Sequence, residues 1–439
     1  MSSKASSVRV RYLLGFLLFA LSGIAFLDRT NISIAGPQIS REFALGHERL
    51  GWIFSAFLIG YAIMQVPAGW MASRFGPRAV LTIGTLWWGV ATILATLLPV
   101  GTPTAVFWLI ALRFLLGAGE SVVYPAANQF VSNWIPVGER GIINGLIFAG
   151  VGAGSGLTPP LLNWIITQHG WRAAFWFSAI VGVFIGGVWW FASRNMPEQH
   201  PSVSKEELQE IRAGLPSTLP TESDLVDGAT VNPVAPKFEW KAMFTRKDLP
   251  LLMGAYFCFG YISWIYFSWF FTYMSEVRGF NPKSSALFTM LPFISMTFFC
   301  LLGGALSDRI TRRYGLRAGR CWLASVALCL TACFLVFGSQ AKNPITAAII
   351  LSLGAGALYL SQSSFWSVSI DIAGKQSGVF SALVNTGGQV GGAVTASLTP
   401  WIAHGFGWTS SFGTAACMAM LGAACWAVVN PAQVQAREA

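Results

Sequence analysis

The sequence predicts an all-α polytopic membrane protein, with twelve transmembrane helices arranged as two pseudo-symmetric six-helix bundles. Three observations lead there. The 439 residues are 54% hydrophobic and only 10% charged, whereas a soluble domain has roughly a quarter of its residues charged. Apolar stretches of about 20 residues, long enough to cross a bilayer, recur along the whole chain. Short motifs from the first half also return in the second at nearly constant spacing.

The expected spans are 12–36, 50–71, 79–99, 104–127, 141–166, 172–192, 250–274, 285–306, 321–338, 346–369, 377–402 and 409–430. Lys4, Arg9 and Arg11 precede the first, as they would in a signal peptide. No small-residue cleavage site precedes the following charges and many spans follow, so a retained helix is expected. The 46 glycines suit close helix packing, and many of the 19 tryptophans fall near span ends, where they anchor in the interface. In GVGAGSGLTPP, Gly150 to Pro160, the glycines read as a close-packing and bending element; no Gly-Lys-Ser/Thr follows to make a phosphate loop. Residues 1–192 form the expected first bundle, 193–249 a cytoplasmic linker and 250–439 the second bundle. The linker is polar, and its KEELQEIRAG segment reads as a short surface helix within a flexible tether.

Charge placement sets the expected orientation. Of 28 Lys and Arg residues, six fall in one set of loops (Arg41, Arg49, Arg172, Arg278, Lys283 and Lys342) and two inside spans. The rest lie on the other side, which places both termini and the linker in the cytoplasm. The net charge of +10 is therefore a topology signal rather than a nucleic-acid one. The seven cysteines all lie in the second half, in or beside apolar spans, without disulfide or metal spacing. His47, His169, His200 and His404 are scattered, which leaves no catalytic or metal cluster and argues against an enzyme. No cofactor is expected, and the chain is read as a monomer whose partners are the bilayer and its solutes.

The internal echo is specific. PAGWMASRFGPR after span 2 and LGGALSDRITRRYG after span 8 align Ser73-Arg74 with Asp308-Arg309 at an offset of 235. GWRAAF and GWTSSF, at the starts of spans 6 and 12, repeat at an offset of 237. Duplicated halves joined by a linker suit a transporter that rocks about a midplane site.

Well inside the spans, strongly ionisable residues are restricted to Asp28, Arg29, Arg113 and Glu120, with Asp371 near a span end. Such residues are rare in a bilayer unless they pair or line a cavity. At about 1.5 Å per helical residue, Arg29 lies roughly 11 Å from the outer end of span 1 and Arg113 roughly 14 Å along span 4. The two arginines are thus expected at a similar level, with Glu120 two turns beyond Arg113 on the same face. Arginine keeps its charge and matches a carboxylate with two parallel donors, which points to an organic anion. Asp28 and Glu120 can compensate the arginines. Desolvation raises a carboxyl pKa and a nearby arginine lowers it, so a cycle that alters either changes proton occupancy. The competing reading makes Asp28–Arg29 and Arg113–Glu120 packing ion pairs. Tyr61, Asn385, Ser364, Trp366 and Tyr124 are further cavity candidates, as are Asn128, which continues the Glu120 face, and more weakly Tyr261 and Gln389.

GWMASRFGPR resembles the loop pattern Gly-x-Leu-x-Asp-Arg-x-Gly-x-Arg of the major facilitator superfamily. FLDRTNISIAGPQI, WIFSAFLIGYAIMQVPAGW, RFLLGAGESVVYPAANQFVSNWIP and GVFSALVNTGGQVGG together resemble its anion:cation symporter branch. That branch includes bacterial sugar-acid and aromatic-acid importers, sialin and the vesicular glutamate transporters. The resemblance implies proton-coupled import of an organic anion, such as a sugar acid, across the inner membrane by alternating access. It implies that Arg29 binds substrate with Tyr61 and Asn385, that Arg113 belongs to the same polar network, and that Glu120 and Asp28 carry the proton. Arg74, Arg78, Asp308 and Arg309 would gate the conformational change. One departure is that Ser73 stands where the family has an aspartate, so an asymmetric or weakened latch is expected. LIFAGVGAG in span 5 offers no polar side chain, which predicts a smaller or less hydroxylated acid than an aldonate. Sodium coupling and export are the alternatives within transport. A non-transporting receptor or sensor would need a large soluble domain, and the longest loop has only about 55 residues.

Overall fold

The computed structural model describes residues 9–45, 47–100, 104–213, 246–270, 273–280 and 282–431. Twelve helical spans run through it. Spans 1 to 3 are Val10–Glu42, His47–Phe75 and Pro77–Thr96. Span 4 is Ala105–Trp134, with a turn at Ser121 and Val122. One helical run, Arg140–Ala192, carries spans 5 and 6 and changes direction at Gly170, whose φ of 79° only glycine adopts readily. Spans 7 to 9 are Asp248–Ser268, Pro282–Tyr314 and Arg317–Gln340. Span 10 is Pro344–Ala373, span 11 Ser377–Phe406 and span 12 Trp408–Val428. Eleven of these helices are long and apolar enough to cross a membrane. Span 11 has the length, but Asn385, Thr386, Gln389 and its glycines dilute its apolarity.

Large apolar side chains such as Phe107, Phe184, Phe191 and Phe337 face outward, while many Ser, Asn and Gln side chains and the charges of Asp28, Arg113 and Glu120 are buried. That inversion of a soluble protein is what a lipid solvent demands. The glycines of span 5 work as close-packing elements. A Cβ on Gly154 would overlap the Gly23 carbonyl of span 1, and one on Gly152 would overlap Thr297 and Phe293 of span 8.

The linker helix lies at the surface, as its sequence suggests, and it is docked there. Lys205–Ala213 buries Ile211 completely. Its Glu207 carboxylate accepts the backbone N–H groups of Val10 at 3.1 Å and Arg11 at 3.1 Å, capping span 1. The buried Arg11 guanidinium donates to Glu139 at 3.0 Å and Glu210 at 3.2 Å. The helix is thereby fixed to the first half. The remainder of the tether, 214–245, lies outside the described residues. We call the end of the bundle that carries this helix the linker face.

The halves meet tightly at the linker face, through two related contacts. In one, Gly304 of span 8 lies against the backbone of Gly141 at the start of span 5. The Asp308 carboxylate accepts from the N–H groups of Gly141 at 2.9 Å and Ile142 at 2.7 Å, so it caps that helix. Arg320 donates to Asp308 at 2.8 Å and to the Val137 carbonyl at 2.8 Å, and Arg140 pairs with Asp371 at 2.7 Å. In the other contact, Gly69 of span 2 lies against the backbone of Gly378 at the start of span 11. The cap there is an amide. Gln129 Oε1 accepts from Gly378 N–H at 3.3 Å and from the hydroxyls of Ser73 at 3.2 Å and Ser377 at 3.5 Å.

Of the expected gating residues, only Asp308 enters these contacts among the described residues. Arg74 and Arg309 are exposed. Arg78 stays within the first half, where it donates to the Trp190 carbonyl at 2.8 Å and stacks on that ring at 4.0 Å. Arg140, Arg320, Asp371 and Gln129, which sequence reasoning did not assign to the latch, are its working parts.

Candidate functional site

The four intramembrane charges converge in the first half. Arg29 donates from Nε to Glu120 Oε2 at 2.7 Å, and the Glu120 side chain is fully buried. Span 4 breaks just after Glu120, at Ser121 and Val122. Asp28 turns to span 3, where the Thr92 hydroxyl donates to it at 3.1 Å. Arg113 is close enough to interact electrostatically with Asp28 and Glu120 and to repel Arg29, and it lies 5.0 Å over the Phe57 ring. The observed ion pair is therefore neither of the two the sequence suggested. Successive helical residues point about 100° apart, so Asp28 and Arg29 cannot share a direction. Arg29 finds its partner on span 4 instead.

Aromatic rings wall the guanidinium. The Arg29 Cζ lies 4.6 Å from the Tyr61 ring centroid, 4.7 Å from Phe26 and 6.0 Å from Tyr124. Cation–π contact stabilises a desolvated cation without consuming its hydrogen-bond donors. Tyr124 bonds Ser22 at 3.1 Å and stacks on Phe148 at 4.7 Å. Trp366 of span 10 reaches across from the second half to Phe148 at 4.7 Å and Tyr124 at 5.7 Å. Of the second-half candidates, Trp366 is thus brought to the first-half cluster. Ser364 and Asn385 are buried, at 0% and 3% exposure.

Unpaired polar atoms mark what the site can do. Among the described residues, Arg29 Nη2, Arg113 Nε, Glu120 Oε1, Tyr61 Oη, Ser364 Oγ, Trp366 Nε1 and Asn385 Nδ2 are buried with no hydrogen-bond partner. So are both amide atoms of Gln65 and Asn128. Each orphaned group costs about 1–3 kcal/mol if nothing binds it. The donors include two arginines and neutral N–H and O–H groups, a set suited to oxyanions. No cluster of potential metal ligands occurs among the described residues.

Residues 18–396 match the Major Facilitator Superfamily. The chain is 36% identical to a probable sulfoacetate transporter of Cupriavidus necator, over 88% of this chain and 86% of that protein. It is 28% identical to a D-galactonate transporter of Escherichia coli, over 94% of each, and 29% identical to a chloroplastic ascorbate transporter of Arabidopsis thaliana, over 95% of this chain and 74% of that one. Its fold is similar to that of the proton:xylose symporter XylE bound to 6-bromo-6-deoxy-D-glucose, with a TM-score of 0.74, 16% identity and coverage of 95% and 96%. FucP in the outward conformation superposes with a TM-score of 0.68 at 14% identity, covering 95% and 99%. With two six-helix halves about a buried polar centre and a family match along most of its length, this multi-pass membrane protein belongs to the Major Facilitator Superfamily of transporters.

Proposed function

We propose that the protein is a symporter that imports a small organic anion together with protons. The observation that carries this reading is the Arg29–Glu120 pair, whose guanidinium keeps a buried unpartnered N–H and whose carboxylate keeps a buried unpartnered oxygen. Asp28 and Glu120 balance Arg29 and Arg113, so an entering anion leaves the cluster one negative charge in excess. A proton on Glu120 restores the balance and releases Arg29 Nε to the substrate. Anion and proton therefore favour each other's binding. Tyr61, Tyr124, Trp366, Ser364 and Asn385 complete the cavity. The Lys and Arg distribution supports a cytoplasmic linker face, and closed latches on that face fit a state that loads from outside. Opening them delivers substrate to the cytoplasm across the inner membrane.

The apolar stretch of span 5 and the relative named for sulfoacetate both favour a small acid over a polyhydroxylated aldonate. The test is uptake into proteoliposomes from a panel of organic acids, under a pH gradient or a sodium gradient. Glu120→Gln is expected to abolish uphill accumulation while retaining substrate exchange. Undiminished accumulation by that variant rules out Glu120 as the coupling residue, and accumulation driven by sodium alone overturns proton symport.

A further inference from the structure

Beneath the charged cluster lies a layer that the proposed function does not use. Tyr61, Gln65 and Gly69 follow each other at four-residue spacing on span 2, so they share one helix face. The first of them packs on Arg29, and the last abuts Gly378 in the linker-face closure. On span 4, Tyr124 and Asn128 have the same spacing. Tyr124 also faces Arg29, and the neighbour of Asn128 is Gln129, which caps span 11 in that closure. Gln65 and Asn128 therefore occupy the layer between the arginine cluster and the closed latch. Both are buried, at 0% and 1% exposure, and all four of their amide N and O atoms lack partners among the described residues. Amides that only cemented the helices would be bonded to them or to each other.

We propose that Gln65 and Asn128 form the floor of the binding site and select acids with two polar ends. This rests on the organic-anion reading above. One end of the acid, a carboxylate, meets Arg29. The other, an oxygen-rich head such as a sulfonate or second carboxylate, accepts from the Gln65 Nε2 and Asn128 Nδ2 donors. One helical turn, about 5.4 Å, separates the Tyr61–Tyr124 level from the amides, a span that the outer oxygens of two heads joined by a single methylene can bridge. Protons on both Asp28 and Glu120 balance such a dianion against the two arginines. An amide floor also disfavours an acid with an apolar tail, because the tail leaves the buried donors and acceptors without partners.

The experiment uses the full chain in proteoliposomes and measures the apparent affinities of sulfoacetate, malonate and propionate. Gln65→Met and Asn128→Leu keep the volume and remove the donors. Each is expected to weaken sulfoacetate and malonate about ten-fold, the usual scale for one lost hydrogen bond to a charged group, with propionate changed less than two-fold. Equal weakening of all three, or of none, overturns the proposal. Where the apolar variants do not give folded protein, Gln65→Asn and Asn128→Ser withdraw the donors while keeping polarity and carry the same comparison. Arg29→Lys separates the two readings, because it is expected to weaken one-headed and two-headed acids alike. A wild type that takes none of the three acids removes both the organic-acid reading and the floor built on it. A wild type that takes propionate at least as well as the two-headed acids removes only the floor.

Discussion

The two halves share a fold but distribute charge in opposite senses. In the buried interior, the cluster of Asp28, Arg29, Arg113 and Glu120 belongs to the first half, while the buried candidates of the second, Trp366, Ser364 and Asn385, are neutral. At the linker face the order reverses. The second half caps span 5 with Asp308, backed by Arg320, Asp371 and Arg140 from both halves, whereas the first half caps span 11 with the neutral Gln129 amide, to which Ser73 donates. A carboxylate at a helix N-terminus gains from the helix dipole and from charge-assisted bonds in a way an amide does not. Duplication preserved where the halves touch but not how strongly. The second-half latch is expected to carry most of the closure.

The largest expected effect comes from breaking that stronger latch. Asp308→Ala leaves Arg320 buried without its nearest carboxylate, and removing one member of a buried pair costs about 3–5 kcal/mol. Hydrogen exchange at Gly141 and Ile142 should accelerate sharply and the melting temperature should fall; unchanged exchange would place the closure elsewhere. A smaller effect of opposite sign is expected from Ser73→Asp, which gives the weak latch a carboxylate near the span 11 N-terminus. A charge so placed contributes about 0.3–1 kcal/mol. It should slow exchange at Gly378 and lower turnover by holding the linker face shut. If exchange at Gly378 does not slow, the charge difference between the latches has no energetic consequence. Arg78→Ala is expected to matter least. It removes a cation–π contact with the Trp190 ring and an exposed hydrogen bond to its carbonyl, both within one half and worth about 1 kcal/mol, so melting should shift slightly and exchange at both caps should stay as it was.

Much of this was legible in the sequence, for identifiable reasons. Hydrocarbon tolerates few charges, so Asp28, Arg29, Arg113 and Glu120 stood out, and their depth followed from counting residues. Their pairing was not legible. Helical rise fixes height along a span, but the Arg29–Glu120 bond also depends on how spans 1 and 4 are rotated toward one another. Arg320 was hidden because it follows Arg312, Arg313 and Arg317 and reads as one more positive residue at a span end. Gln129 carries no charge to draw notice. A signal for the latch did exist. Gly69 and Gly304 repeat at the same offset of 235 that aligns the loop motifs, and Gly141 and Gly378 at the offset of 237 seen at spans 6 and 12. The docking of Lys205–Ala213 had a weaker sign in Leu208 and Ile211, apolar residues three apart among charges.

Those four glycines have a kinetic consequence for the transport cycle. Where Gly69 meets Gly378 and Gly304 meets Gly141, main chain presses on main chain with no side chain between. Glycine has no rotamers to freeze, and no bulky group must thread past another as the surfaces separate. The seal therefore behaves like a smooth gasket rather than a set of interlocking teeth. It can part and re-form on every turnover, while the polar caps around it decide how long it stays closed.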